Sequence, residues 1–149
     1  MDDWKWKELW RKRGKGFCVE VSHHTITYPP LYKHGGRNRW CVYAYIYPAH
    51  SHFAAFDGDE LWQQATKVLP LHGGASLLRR HQDKSGKLTS VQVGADYNHD
   101  GDEEYTHCDE AEAASKVFWD ADELVTWLAA APSQDELEQP RVSSAASDG

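Results

Sequence analysis

Hydrophobic and polar positions alternate along FCVEVS, where Phe17, Val19 and Val21 share one face as a half-buried strand requires. Residues 40–47 are apolar on both sides: Trp40, Val42, Ala44 and Ile46 face one way, and Cys41, Tyr43, Tyr45 and Tyr47 the other. That pattern predicts a strand in the centre of a sheet. A third strand is expected from about residue 75 to 81 and a fourth from 89 to 95, joined by DKSGK into a hairpin with a five-residue connection. Elsewhere the period lengthens. Trp6, Leu9, Trp10 and Arg13 recur at helical spacing, with Lys5, Lys7, Arg11 and Lys12 on the other sides, which predicts an amphipathic basic helix over residues 2–13 ended by Gly14 and Gly16. Asp57 or Asp59 can cap a short helix through DELWQQATKVL, where Leu61, Ala65 and Val68 share a stripe.

Asp109 with Glu112, and Asp120 with Glu123, have capping-box spacing. Residues 109–131 therefore read as one helix or as two with a break near Trp119, and the break is the favoured reading. The stripe Phe118, Ala121, Leu124, Val125 and Leu128 packs the C-terminal helix on the sheet. The expected fold is α+β: an antiparallel sheet of about four strands flanked by N-terminal and C-terminal helices. At 149 residues the chain holds one sizeable core, assigned to a single domain over residues 1–131. PSQDELEQPRVSSAASDG lacks apolar periodicity, so residues 132–149 are expected to form a flexible tail.

Apolar residues at 40% and charged residues at 26% exclude wholesale disorder. No apolar run approaches the roughly 20 residues that cross a bilayer, and MDDWKWKELW lacks the apolar centre of a secretory signal. A cytoplasmic protein without membrane contact is the expectation. The net charge of -7 hides an asymmetry: residues 1–93 carry fourteen Lys and Arg against eight Asp and Glu, or +6, and residues 94–149 carry two against fifteen, or -13. Either the halves neutralise each other in the fold, or the acidic half presents a field to a basic partner. An acidic chain is poorly suited to direct duplex DNA binding, which needs clustered cations. Cys18, Cys41 and Cys108 are odd in number and widely spaced, which points to reduced, partly buried thiols.

The segment GADYNHDGDEEYTHCDE concentrates oxygen and imidazole ligands directly after an apolar strand. Asp96, Asn98, Asp100 and Gly101 follow the first half of a calcium loop, but the twelfth position is His107 where a bidentate Glu belongs. His72, in LHGG, combines with Asp96, His99 and Asp102 into a set able to hold a divalent cation or supply an acid and a base. The competing reading is structural: Gly73 and Gly74 supply unusual backbone angles, and the polar side chains tie strand-end loops together. His23 with His24, and His50 with His52, are local pairs, the latter expected to face solvent. The tyrosine row on residues 43, 45 and 47 can form a ligand-facing wall, although covering by a helix is the commoner arrangement. No phosphate loop, GxSxG elbow or HExxH is present.

The order VYAYIYPAHSHF, LPLHGG, VGADYNHDGD and VFWDADELVTWL resembles a group of small uncharacterised proteins of bacteriophages, prophages and their hosts. Their pattern is a strand with His-Pro, a segment like VHGGLTY, and a strand ending in GFDCAHAGD before a terminal helix. The resemblance covers roughly residues 40–130 and maps shared positions onto His50, His72, Gly73, Gly74, Gly94, Asp96, His99, Gly101 and Asp102. It departs at Ser51, where the pattern has Pro, and at ADYNHDGD, where it has FDCAHAGD. The resemblance implies a phage or mobile-element origin. The first expected function is a non-enzymatic binding protein, without cofactor, that inhibits a bacterial host defence complex through an acidic surface; anti-CRISPR action is one form of this. Asp100, Asp102, Glu103, Glu104 and Glu110 would face a basic surface of that complex. The alternatives are a metal-dependent hydrolase or a small-ligand or nucleotide binder built on His72, Asp96, His99 and Asp102, with a divalent cation as cofactor. A nucleotide-sequestering protein using Arg37, Arg39 and the tyrosine face is a third expectation.

Overall fold

In the computed structural model, the described residues are 8–30, 34–56, 64–99, 101–108 and 114–130. Five strands appear among them: β1 (Glu8–Gly14), β2 (Phe17–Thr25), β3 (Asn38–Ile46), β4 (Leu77–Gln82) and β5 (Leu88–Asp96). They form one antiparallel sheet in the order β1-β2-β3-β5-β4. The helical elements are a 3-10 turn (Phe53–Phe56), α1 (Gln64–Lys67), α2 (Glu103–Thr106) and α3 (Ser115–Ala130). The protein is therefore α+β, with β3 in the centre as its two apolar faces require and with the five-residue connection between β4 and β5 where DKSGK stands.

The N-terminal helix expected over residues 2–13 is corrected over residues 8–13, and residues 2–7 lie outside the described residues. Glu8–Gly14 is a strand, paired from Glu8↔His23 to Gly14↔Phe17. Lys15 and Gly16 form the two-residue hairpin, and Gly16 takes φ +80, a conformation side-chain-bearing residues rarely adopt. The glycines that read as a helix stop are thus a hairpin signal. Trp10 supplies the inward anchor, stacking 5.8 Å from Trp40 and edge-on to Phe118 at 5.0 Å.

One sheet face carries the core. Phe17, Val19 and Val21 of β2, Trp40, Val42, Ala44 and Ile46 of β3, and Val91 and Val93 of β5 cluster with Phe56, Ala65, Leu69, Val117, Ala121, Leu124 and Leu128 from the helical elements. Each full burial of such a side chain contributes on the order of 1.5–3 kcal/mol. α3 runs unbroken through Trp119, correcting the expected break, because Val117, Ala121, Leu124 and Leu128 give a continuous stripe against β2 and β3. The residues of the expected caps Asp57, Asp59 and Asp109, and of the expected tail 132–149, lie outside the described residues. None of the three cysteines forms a disulfide, and all three are buried.

Candidate functional site

β5 ends at Asp96, and the next residue turns back into the core. Tyr97 is fully buried, its amide donates to Trp40 O at 2.9 Å, and its hydroxyl donates to Asp120 Oδ2 on α3 at 2.6 Å. Lys116, one turn before Asp120 on the same helix, pairs with the other carboxylate oxygen. The chain then closes a tight loop, with Asp102 N donating to His99 O at 2.9 Å and His99 N to Asp102 Oδ2 at 3.0 Å. His72 approaches from the turn before β4, where Gly73 and Gly74 both take positive φ. Its ring stacks on Tyr97 at 4.3 Å and 11°, and Nε2 lies 2.9 Å from Asp102 Oδ1.

The four residues read from the sequence as a set do come together. His72 bonds Asp102, His99 Nδ1 lies 3.5 Å from Asp102 Oδ2, and His99 Nε2 lies 3.0 Å from Asp96 Oδ1. The last contact is misaligned, because buried Asp96 Oδ1 makes no hydrogen bond of acceptable geometry. The arrangement is a chain of mutual contacts: each ligand atom points at its neighbour. Among the described residues, no three His, Cys, Asp or Glu side chains are disposed to hold a metal ion. Chemically, the Asp102 carboxylate orients the His72 imidazole through Nε2, and the ring is stacked on Tyr97 and met edge-on by Tyr105.

The acidic residues proposed for partner contact divide. Glu104 is exposed; Glu103 is half-buried, with Oε2 accepting from Gly101 N at 3.0 Å. Asp102, expected on the partner-facing surface, is only 7% exposed and is engaged by His72 and the His99 amide. Asp100 and Glu110 lie outside the described residues. Beside them is a feature the motifs did not announce: a cavity of about 230 Å³ lined by Pro70, Leu71, His72, Lys116, Trp119, Asp120 and Glu123. Trp119 on its rim is 58% exposed, with the Lys116 ammonium 4.8 Å from its ring centroid. The signal was present, since residue 119 falls on the outward side of the stripe formed by residues 117, 121, 124 and 128, where a Trp has no packing reason to be.

Two further expectations change. His50, expected in solvent, is 1% exposed; its Nδ1 accepts from His52 N at 3.0 Å, so Nε2–H donates to Leu128 O at 2.9 Å and satisfies a carbonyl near the end of α3. Arg39 is 9% exposed and Arg37 exposed, and both spend their guanidinium groups on loop carbonyls: Arg39 on Gly36 and Asn38, Arg37 on Tyr28. Neither guanidinium stands free beside the tyrosine row.

Burial, then the Asp120 carboxylate, hold the Tyr97 phenol far above its ordinary value; burial, then Glu104, push Tyr105 up to about 12. A phenol raised on folding stabilises the native state fully below the unfolded pKa of about 10 and loses that contribution as pH climbs above it. Unfolding free energy measured in urea should therefore fall above pH 10 by about 1.4 kcal/mol per pH unit from Tyr97 alone. Tyr97→Phe should remove that part of the slope, and an unchanged slope would show that Tyr97 ionises freely in the fold.

Comparison with known protein families, characterised proteins and solved structures finds no match for the chain. Among the described residues, no helix is long and apolar enough to cross a membrane.

Proposed function

We propose that this chain is a non-enzymatic binding protein of phage or mobile-element origin that inhibits a bacterial host defence complex, a CRISPR complex being one such target, through the acidic face of α2 and α3. The observation that carries the reading is exposed Trp119 on the rim of a cavity that exposed Glu123 also lines. An aromatic ring beside carboxylates takes up a cationic side chain by ring-face attraction and charge pairing. Lys116 of the same helix lies over this ring, 4.8 Å from its centroid, in the geometry such a contact takes. Exposed Glu104, Asp122 and Glu123 extend the negative field from α2 along α3. Such a field speeds association with a basic surface more than it strengthens the final complex.

Capture of a tagged chain from lysate containing defence complexes tests this. Trp119→Ala should weaken retention of a basic partner by about 2 kcal/mol, the loss typical of an aromatic anchor. Glu123→Lys should slow association and flatten its salt dependence. Undiminished retention by both variants would sink the reading. A second reading, binding of a small ligand or divalent cation beside this cavity, needs His72, Asp96, His99 and Asp102 to exchange their mutual contacts for the ligand. Under it, Zn²⁺ or Mn²⁺ at a hundredfold excess over Kd would add about 2.7 kcal/mol of stability, whereas the first reading expects no shift.

A further inference from the structure

The core occupies one face of the sheet, and the other face carries a different chemistry. Its rows follow from the pairing register. One row runs Arg11, Glu20, Tyr43, Gly94 and Leu77 from edge to edge; the next runs Arg13, Cys18, Tyr45, Gln92 and Arg79. The core contacts of α1, α3 and the 3-10 turn lie on the opposite side. Covering by a helix, the commoner fate of a tyrosine row, is thus not how the described helices use it.

We propose that this face is a docking surface for a single-stranded nucleic acid, with bases stacking on Tyr43, Tyr45 and Tyr47 and phosphates held by Arg13 and Arg79. Three observations carry the proposal, none of which depends on the acidic face. The first is ring placement. Tyr43 and Tyr45 are half-buried and Tyr47 is 39% exposed. The Tyr43 ring leans across Gly94, so that a Cβ at Gly94 would lie 2.3 Å from its Cδ1. A ring lying down on the sheet shows its π-face to solvent, which is the surface a base stacks on.

The second is charge. Arg11 is matched by Glu20, its Nε 2.7 Å from Oε2. Asp96, the other carboxylate on this face, lies against His99. Among the described residues, no carboxylate pairs with exposed Arg13 or Arg79, which flank Tyr45 in its own row at the two edges of the sheet. The excess is positive, although the whole chain carries -7, and a polyanion complements it. The third is spacing. Rings two residues apart on a strand stand about 6.7 Å apart. Stacked nucleotides in a duplex rise only about 3.4 Å each. Only a strand with its bases splayed can place successive bases on successive rings.

Fluorescence anisotropy with dye-labelled oligo(U) and oligo(dT), titrated with the full chain at about 50 and 200 mM salt, tests this. Saturable binding to either strand is expected. Tyr45→Ala should weaken it roughly tenfold to hundredfold. The double variant Arg13→Glu with Arg79→Glu should reduce the slope of log affinity against log salt by about 1.4, or about 0.7 for each phosphate that is no longer neutralised. Because both arginines are exposed edge residues, the far-ultraviolet circular dichroism and thermal midpoint of that variant should match the parent. Trp119→Ala, which tests the acidic face, should leave oligonucleotide affinity unchanged. No binding to either strand, parental affinity in the variants, or equal affinity for duplex DNA or for heparin, which has no bases, would overturn the proposal.

Discussion

Replacing Trp40 by Ala should lower the unfolding free energy by about 3–5 kcal/mol, a large share of the roughly 5–15 kcal/mol available to an ordinary domain. Trp40 has no solvent exposure and sits where β1, β2, β3 and α3 meet. Its ring stacks on Trp10 at 5.8 Å, lies 4.4 Å from His23, and meets Phe118 edge-on at 5.9 Å. Indole Nε1–H donates to Cys108 O at 2.7 Å and so ties the segment after α2 to the sheet. The substitution opens a cavity among three aromatic neighbours and removes that donor together. Trp40→Phe, which keeps a ring but no donor, should lose less, about 1–3 kcal/mol. Trp119→Ala provides the contrast: at 58% exposure its loss should stay within about 0.5 kcal/mol. Urea titration followed by circular dichroism reads all three, and a shifted midpoint at constant slope marks lost stability. If Trp40→Ala unfolded at the same urea concentration as Trp119→Ala, the account of the core would be wrong.

What the sequence disclosed follows from where side chains spend their energy. β2, β3 and β5 were legible because their inward positions are apolar at a strict period of two, and no helix satisfies that period. β1 was not. As an edge strand it leaves Arg11, Lys12 and Arg13 exposed and has Trp10 as its anchor in the core. Charges suit an exposed edge but also suit a helix surface, so tertiary pairing decides. α3 was legible as a stripe, and the expected break at Trp119 arose from reading two capping boxes where Asp120 instead serves Tyr97 and Lys116.

The candidate sites show the same division. Composition announced the loop after β5, yet the meeting of His72 with Asp102, thirty residues apart, depends on β4 lying beside β5 and on Tyr97 providing the floor for the imidazole. The burial of His50 could not be read, because it requires an acceptor at Leu128 O, 78 residues away. The tyrosine row was visible as a pattern. Which face the helices would choose was settled by volume: the Trp40 face offers the large apolar area, and the tyrosine face keeps hydroxyls that would need partners beneath a helix.

Gly94→Val should cost about 3 kcal/mol, toward the upper end of overpacking penalties, and should damage the tyrosine face before it unfolds the sheet. Gly94 pairs with Tyr43 on β3 and Leu77 on β4. A Cβ there would stand 2.3 Å from Tyr43 Cδ1 and 2.4 Å from Val42 O. The first collision can be relieved by swinging the ring away from the sheet; the second involves backbone and moves β5 against β3. Tyr43→Ala in the Gly94→Val background should therefore restore part of the loss, and a double-mutant cycle in urea measures that coupling directly. Additive losses would mean that Tyr43 does not lie over Gly94. The functional consequence separates two roles of the ring: if Tyr43 presents a stacking surface, Gly94→Val should weaken oligonucleotide binding under conditions where the variant is still folded. Binding that survives with the ring displaced would assign the affinity to Tyr45, Tyr47 and the flanking arginines.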